Sequence, residues 1–259
     1  MKFALLIGIN YNHTDYKLNG CINDVNNIKS LLNKFDKINV LTEENATKSN
    51  IINAFTLNIS LLKPRDTFFV YYSGHGSQIK DRNGDEKDGL DEVMVPYDYL
   101  NNGTISDDWI FENVISKVNP LSKLIICMDC CHSGSIVDLK YKYSPQYKPI
   151  VTNPNRDYNP KEWTDSFQCV EENDKITQGN IILFSGCADN QQSRETMVNN
   201  IYVGVFSTCF LQTMKRSKKN TCLEVFKEIN CRMYLLGFPS QQCNCSMNNI
   251  QVCQSIFDI

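Results

Sequence analysis

The clearest pattern along the chain is a series of short apolar runs separated by segments of helical periodicity. The runs are residues 2–9, "KINVLTEE", "DTFFVYYSGH", "KLIICMDC" and "GNIILFSGC". Continuous apolar runs of this length predict strands that are buried on both faces. Between them, apolar residues recur at helical spacing, as in 23–32 and 50–62. This alternation predicts an α/β fold with a mostly parallel central sheet flanked by helices on both faces.

The second half of the chain continues this alternation after one interruption. Helical periodicity returns in 107–118, 204–215 and 223–236, and we expect a final short strand near 241–246. "DEVMVPYDY" alternates and contains a proline, which indicates a short peripheral hairpin. Residues 139–178 are rich in Pro, Asn, Lys and Tyr without a sustained period, so we expect a long loop or linker. The prediction is one domain over 1–259, in which an insert, 139–178, separates the segments 1–138 and 179–259.

Composition excludes several classes of function. A hydrophobic content of 42% and a charged content of 21% are typical of a soluble globular protein. The formal net charge of -3 provides no basic surface that would favour nucleic acid. No apolar stretch approaches the ~18 residues of a transmembrane helix, and the first apolar run is short for a signal peptide. We therefore expect an intracellular, cytoplasmic protein without a membrane or nucleic-acid partner.

The chain contains 12 cysteines, which raises the question of disulfides and zinc. Without a secretory signal we expect reduced thiols, and several cysteines fall in apolar runs where a thiol packs as a small hydrophobe. Cys127, Cys130 and Cys131 are closely spaced, but no partner pair occurs at zinc-finger spacing. We therefore expect no structural zinc.

Two predicted strands end in residues that carry chemistry. His75 ends the third strand in "SGHG", and "DCCHSGS" follows the fourth. Active sites of such sheets lie at the carboxyl ends of the strands. A cysteine nucleophile needs a nearby histidine and a thiol pKa lowered by imidazolium or a helix N-terminus. Because successive side chains of a strand point to opposite faces, only one of Cys130 and Cys131 can face the cleft. This alternation does not show which of the two it is. We expect a structural role for His132.

The acidic run "DRNGDEKDGLDE" nearly fits the calcium loop of helix–loop–helix proteins. Glu86 stands at the sixth position, where that loop requires glycine for its sharp turn, and the flanking sequence is not helical. We therefore do not expect this run to be a self-contained metal loop.

Seven blocks of the sequence, in the same order, resemble the metacaspases. The blocks are "LLIGINYN", "LNGCINDV", "YYSGHG", "DGLDEV", "ISDD", "DCCHSG" and "FSGCADNQQS". Metacaspases are caspase-like cysteine peptidases of the caspase–hemoglobinase fold, and the resemblance covers about 2–138 and 179–246. It implies a cysteine endopeptidase in which His75 is the general acid/base and Cys131, not Cys130, is the nucleophile.

The resemblance also implies cleavage after Arg or Lys. It assigns an acidic primary pocket to Asp24 and Asp129, with Cys21 and Ser73 at further pocket positions. Paired carboxylates in a concave site suit a guanidinium or ammonium group. The alternative for Asp24 is a helix-cap role.

A calcium site is a further implication of the resemblance. In calcium-dependent metacaspases separated aspartates converge, and they match Asp91, Asp107, Asp108 and Asp138. Oxygen-only ligands suit Ca²⁺, which would act as an activator that orders the segment after Cys131. The alternative is a solvated acidic surface, with dipole effects at the helix that begins near Asp107.

Several expectations concern processing and the rival functions. Metacaspases often carry a long N-terminal extension, which we expect this chain to lack. The insert is either a tolerated surface insertion or a site of self-cleavage at one of its basic residues. The candidate sites are Lys140, Lys142, Lys148, Arg156, Lys161 and Lys175. The resemblance favours a monomer that acts on protein or peptide substrates with a basic P1 residue. The rivals are a catalytically silent scaffold and another peptidase of the same clan, such as a legumain-like or gingipain-like enzyme.

Overall fold

The computed structural model describes residues 1–81, 83–84, 89–133, 136–137, 139–145, 167–171, 177–188, 191–216 and 220–254. Within these ranges, no helix is long and apolar enough to cross a membrane. The strands are β1 (Lys2–Gly8), β2 (Lys37–Thr42), β3 (Thr67–Ser73), β4 (Gly76–Lys80), β5 (Leu90–Met94), β6 (Ile105–Ser106), β7 (Lys123–Asp129), β8 (Tyr141–Pro145), β9 (Phe167–Glu171), β10 (Asn180–Ser185), β11 (Glu195–Val198), β12 (Ile201–Gly204) and β13 (Asn244–Met247). The helices are α1 (Cys21–Lys29), α2 (Lys48–Leu61), α3 (Tyr99–Asn102), α4 (Asp107–Asn113), α5 (Val205–Arg216) and α6 (Cys222–Leu235).

In the part of the chain that the structure describes, the central sheet has eight strands in the order β2-β1-β3-β7-β10-β13-β8-β9. The first five strands pair in parallel, and β13, β8 and β9 complete the sheet with antiparallel pairs. The predicted mostly parallel sheet is therefore confirmed. Because parallel strands end at the same edge, the residues that follow β1, β3 and β7 are brought together there.

Helices cover both faces of the sheet, as predicted. One face, which includes Ile7, Val70 and Ile126, packs in a cluster with apolar residues of α2 and α4. The other face, which includes Leu6 and Tyr71, packs with α1, α5 and α6. Adjacent residues of one strand thus belong to opposite cores, which explains why the strands are continuously apolar.

The expectation of a loop over 139–178 is wrong for the two stretches that form β8 and β9. β8 pairs with β13 on one side and β9 on the other, so both strands extend the central sheet. Tyr141 and Tyr143 pack against the core, and the intervening Lys142 points to the other face. Apolar and polar residues that alternate in this way are the sequence pattern of a strand near the edge of a sheet, with one face covered by the core.

Two small sheets lie beside the central one. β5 begins the stretch predicted to be a peripheral hairpin, and it pairs with β4 and β6 in a three-stranded sheet. β11 and β12 form a separate hairpin. Its two-residue turn, Asn199 and Asn200, has positive φ values of 51° and 62°, which suit the tight turn of a regular hairpin.

Candidate active site

The end of β7 separates the two adjacent cysteines that the sequence left as alternatives. Cys130 is buried in the core cluster to which residues of α2 also belong, whereas Cys131 lines an open cavity of about 290 Å³. The chain turns sharply here, because the Ser133 Oγ donates to the Cys130 carbonyl at 2.9 Å and His132 adopts a φ of 52°. Cys131 is therefore the thiol available to a substrate.

His75 lies in the same cavity, just after β3, and tyrosines hold its backbone. Its N–H donates to the Tyr11 Oη at 3.0 Å, and the Tyr72 Oη donates to its carbonyl at 2.7 Å. The imidazole Nε2 lies 2.6 Å from the carbonyl oxygen of Tyr16. Because a carbonyl only accepts hydrogen bonds, Nε2 carries the proton and Nδ1 is left as the basic nitrogen.

The backbones of the two motifs touch at Gly76. A Cβ on this residue would lie 2.0 Å from the carbonyl oxygen of Cys131, so only glycine fits. The glycine that follows His75 thus allows the loop that carries the histidine to pack directly on the loop that carries the cysteine.

The Cys131 thiol departs from the expectation of a lowered pKa. Burial raises the pKa of Cys131 above its ordinary value, and a backbone hydrogen bond from Ser193 acts in the opposite direction. In this conformation the structure therefore does not show the lowered thiol pKa that a cysteine nucleophile needs. At neutral pH the thiol is protonated, so a base must remove its proton before or during attack.

Asp24 and Asp129 lie together in the wall of this cavity. Both are buried, and a Cβ on Gly204 would lie 2.1 Å from Asp129 Oδ2 and 3.0 Å from Asp24 Oδ2. Burial raises the pKa of Asp24, and the charge of Asp129 raises it further. Burial also raises the pKa of Asp129. A cation placed between the two carboxylates would relieve their repulsion.

Asp24 stands in the first turn of α1, but hydrogen bonds direct its carboxylate into the pocket and not to the helix end. The Gly204 N–H donates to its two carboxylate oxygens at 2.9 and 3.0 Å, and the Ser73 Oγ donates at 3.1 Å. Helix α1 begins at Cys21, and its N-cap residue Gly20 makes no side-chain cap. The alternative helix-cap role for Asp24 is therefore wrong.

Asp129 is held by residues that follow it far along the chain. The hydroxyls of Ser193 and Ser207 donate to its carboxylate, and the Ser207 N–H donates at 3.1 Å. Gln241 supports the loop that carries Ser193, because its amide donates to the Ser193 Oγ at 3.1 Å and its carbonyl accepts the Arg194 N–H at 3.0 Å. Sequence reasoning missed these supporting residues.

The remaining predicted pocket residues, Cys21 and Ser73, also line the cavity. Burial raises the pKa of Cys21, and a hydrogen bond with Ser73 opposes that effect. The structure thus brings all four predicted pocket residues into one cavity with His75 and Cys131.

The cavity contains a third carboxylate that no sequence motif indicated. Glu195, the first residue of β11, is half-buried and accepts hydrogen bonds from the backbone N–H groups of Asn19, at 2.9 Å, and Gly20. Within the residues that the structure describes, no Lys or Arg forms an ion pair with Asp24, Asp129 or Glu195. The cavity therefore contains three carboxylates without an ion-paired Lys or Arg among the described residues, although Arg194 also lines it.

Three of the four predicted metal ligands converge outside this cavity. Carboxylate oxygens of Asp91, Asp107 and Asp108 lie within 4.8 Å of one another. Asp91 and Asp107 are 4% and 2% exposed, so a purely solvated acidic surface is wrong for these two. Helix α4 does begin at Asp107, as the alternative supposed. Asp138 lies outside the described residues.

Most of the predicted self-cleavage sites also lie outside the described residues. They are Lys148, Arg156, Lys161 and Lys175. Lys142 is within β8, between two paired strands, and Lys140 directly precedes that strand.

The fold and the site together define a class of protein. A mostly parallel sheet with a histidine and a cysteine at the ends of the neighbouring strands β3 and β7 is the arrangement expected for caspase-like cysteine peptidases. The Drosophila initiator caspase Dronc superposes with a TM-score of 0.58 at 9% identity, covering 98% of this chain and 81% of that one. A Geobacter sulfurreducens protein superposes with a TM-score of 0.69 at 24% identity, covering 99% of each chain. The likeness to Dronc shows the caspase-like fold, and the Geobacter protein shares the fold of this chain over nearly its whole length.

Sequence comparison identifies the family. The model of the metacaspase, peptidase C14 domain matches residues 2–140. Metacaspase-1 of Eremothecium gossypii is 32% identical over 94% of this chain and 63% of its own length. Metacaspase-1 of Ajellomyces capsulatus is 30% identical over 94% of this chain and 79% of its own length. The chain belongs to the metacaspase family of cysteine peptidases. It spans 63% and 58% of the first two curated relatives that it matches.

Proposed function

We propose that this chain is a cysteine endopeptidase that cleaves peptide bonds after Arg or Lys. Membership of the metacaspase family supports the peptidase class. The observation that carries the specificity is the buried pair Asp24 and Asp129 in the cavity that also holds Cys131 and His75. A guanidinium or ammonium group neutralises such a pair, whereas an acidic substrate side chain adds another negative charge.

The geometry supports a two-step acyl transfer. As the Cys131 Sγ attacks the scissile carbonyl carbon, Nδ1 of His75 takes the thiol proton. The C–N bond then breaks, His75 protonates the leaving amine, and a thioester remains on Cys131. Water attacks the thioester carbon and gives a proton to His75, which returns it to the sulfur as the C–S bond breaks. The second product leaves with its basic residue at the new carboxyl terminus.

The orientation of His75 supports its role as the base. The Tyr16 carbonyl fixes the Nε2 proton, and Tyr11 packs its ring 4.6 Å from the imidazole, measured between ring centroids. When the imidazole becomes positively charged, the same carbonyl dipole stabilises the charge. This matters because burial keeps the Cys131 thiol protonated in the resting enzyme.

The proposal includes Ca²⁺ as an activator held by Asp91, Asp107 and Asp108. Two buried carboxylates that converge with a third repel one another, and a hard cation with oxygen ligands relieves that repulsion. The three-stranded sheet links this cluster to the histidine: Asp91 of β5 is paired with Ile79 of β4, and β4 begins directly after His75. Metal binding is therefore expected to stiffen the strand pair that anchors the histidine.

Self-processing is included in the same proposal. An enzyme with this specificity is expected to cut at basic residues of its own 139–178 segment. Lys142 is a poor site because its backbone is engaged in β8, between β13 and β9. We expect calcium-stimulated nicking that Cys131→Ala abolishes, with mass spectrometry placing the cuts outside β8. An intact band under activating conditions would contradict self-processing.

A panel of fluorogenic peptides tests the peptidase proposal. Peptides with Arg, Lys, Asp or Ala before the scissile bond are compared with and without calcium. We expect cleavage after Arg and Lys only, and its loss in Cys131→Ala, while the matched Cys130→Ser variant remains active. A covalent arginyl inhibitor should label Cys131. Absence of labelling and cleavage would favour the silent scaffold, and cleavage after Asp would reject the assigned pocket.

Calorimetry tests the metal site. The double variant Asp107→Ala/Asp108→Ala is compared with the exposed control Asp15→Ala in the Cys131→Ala background, which prevents self-digestion. We expect the double variant to lose calcium binding and the control to retain it. Unchanged calcium affinity in the double variant rejects this site.

A further inference from the structure

The β11–β12 hairpin exposes apolar side chains beside the acidic cavity. Met197 and Ile201 are each 52% exposed, Tyr202 is 45% exposed and Val198 is 37% exposed. Exposed apolar side chains that lie together and border a binding cavity are candidates for a contact surface. The question is which of them a bound peptide would reach.

The strand register divides these side chains between two faces of the hairpin. Met197 pairs with Tyr202 and Val198 pairs with Ile201. Because successive residues of a strand point to opposite faces, the first pair lies on one face and the second pair on the other. The two-residue turn fixes this register. The register matters because a slip by one residue would move each side chain to the opposite face.

The face that carries Met197 and Tyr202 continues into the acidic pocket. Two residues further along each strand, the same face presents Glu195 and Gly204, which are paired and line the cavity. A Cβ on Gly204 would point at Asp129 Oδ2, only 2.1 Å away. One face of the hairpin therefore runs from the buried carboxylates to the exposed apolar pair.

The hairpin is anchored beside the pocket on its other strand as well. The Asn23 side-chain amide of α1 donates to the Tyr202 carbonyl at 2.8 Å. Glu195 accepts the backbone N–H of Asn19 at 2.9 Å. These contacts connect both strands of the hairpin to α1, the helix that carries Asp24, and to the residues just before it.

We propose that Met197 and Tyr202 form a second substrate subsite, which takes an apolar side chain two positions away from the basic residue. The inference rests on the proposed function, because the pocket beside it must hold that basic residue. Residues two apart in a strand lie about 7 Å from each other, and an extended peptide repeats its side-chain direction over the same distance. When Arg of an extended peptide lies between Asp24 and Asp129, the side chain two positions away points in the same direction. That side chain therefore reaches Met197 and Tyr202.

Internally quenched peptides test this subsite. One series contains Arg with Leu or Ser two positions before it, and a second series places Leu or Ser two positions after it. We expect the wild type to prefer Leu over Ser by about five- to tenfold in kcat/KM in one series, the gain of a partly buried apolar side chain. In Met197→Ser/Tyr202→Ser that ratio should fall close to one, with the preference for Arg over Ala at the cleavage position retained. The matched control is Val198→Ser/Ile201→Ser, which changes the opposite face of the same hairpin and should keep the wild-type ratio.

Each other result overturns the subsite. A wild type that cleaves after Arg without preferring Leu in either series contradicts it while leaving the proposed function intact. An equal loss of preference in the two hairpin variants shows that the effect is not specific to one face. A dimer in light scattering that dissociates in Met197→Ser/Tyr202→Ser assigns the surface to a second copy of the chain instead. A wild type that cleaves none of the peptides rejects the proposed function, and the subsite with it.

Discussion

Removal of the Tyr11 hydroxyl tests how the candidate base is held in place. This fully buried side chain donates to the Val95 carbonyl at 2.6 Å, accepts the His75 N–H at 3.0 Å and lies 3.0 Å from the Tyr72 hydroxyl. Tyr11→Phe keeps the ring beside the imidazole and removes only these hydrogen bonds. The variant therefore isolates the contribution of the hydroxyl to the backbone of the histidine loop.

The loss of stability in Tyr11→Phe can be worked out from the groups that lose a hydrogen bond to the Tyr11 hydroxyl. The His75 N–H loses its acceptor. The Tyr72 hydroxyl, with one proton, can serve either the Val95 carbonyl at 3.1 Å or the His75 carbonyl at 2.7 Å, but not both fully. A buried polar group without a partner costs about 1–3 kcal/mol. Tyr11→Phe leaves one buried donor and one buried acceptor without a full partner, which lowers the free energy of unfolding by about 2–4 kcal/mol. The urea midpoint is then expected to fall by about 1 M.

Unfolding is measured in the Cys131→Ala background, and steady-state kinetics are measured with the intact thiol. Tyr11 is a positioning residue, so we expect kcat to fall about 10- to 100-fold with KM for an arginyl peptide little changed. Tyr16→Phe is the control, because Tyr16 contacts His75 through its backbone carbonyl and its own side chain is exposed. Equal urea midpoints and equal kcat values for the two variants would refute the reasoning.

Four further predictions concern the pocket and the thiol. Asp129→Asn removes a charge with little change of shape, so kcat/KM for arginyl peptides should fall about 100-fold or more, and a rate within threefold of the wild type would be evidence against the pocket. Burial raises the pKa of Asp24 and Asp129, so they become protonated at a higher pH than ordinary carboxyl groups, whose pKa is about 4. Protonation removes their attraction for Arg, so KM for arginyl peptides should begin to rise, as the pH is lowered, while the pH is still above about 4. A KM that stays constant down to pH ~4 would contradict this expectation. Gly204→Ala places a methyl group against both carboxylates and should raise KM for arginyl peptides at least about tenfold, which a peptide-cleavage assay checks directly. Burial raises the pKa of Cys131 above the ordinary thiol value of about 8.5. Without calcium, alkylation of Cys131 by iodoacetamide should therefore accelerate only at pH values above about 8.5. Fast alkylation at about pH 7 would contradict the raised thiol pKa.

The sheet was predictable because its strands are buried on both faces. Residues such as Leu6 and Ile7 contribute to opposite cores, so the run is continuously apolar and its strand character is plain. β8 was missed because it lies toward the edge of the sheet and shows only the alternation of Tyr141 and Tyr143. The hairpin β11–β12 was missed although Asn199 and Asn200 form a turn typical of hairpins.

The candidate site was predictable only where motifs carried it. His75, Cys131 and the pocket aspartates stand in short blocks whose order resembles a known family. Glu195 belongs to no such block, and its place in the cavity depends on amide groups of Asn19 and Gly20, 176 and 175 residues away in sequence. The raised pKa of the Cys131 thiol also follows from tertiary burial, which a local motif does not encode.

The amide of Gly204 and the hydroxyl of Ser207 complete the carboxylate pocket, and both come late in the chain. During synthesis from the amino terminus, the candidate nucleophile at Cys131 leaves the ribosome well before them. A nascent chain therefore has both candidate catalytic groups before the carboxylate pocket is complete. Under the proposed function, cleavage after basic residues therefore has to wait until the carboxyl-terminal segment has folded.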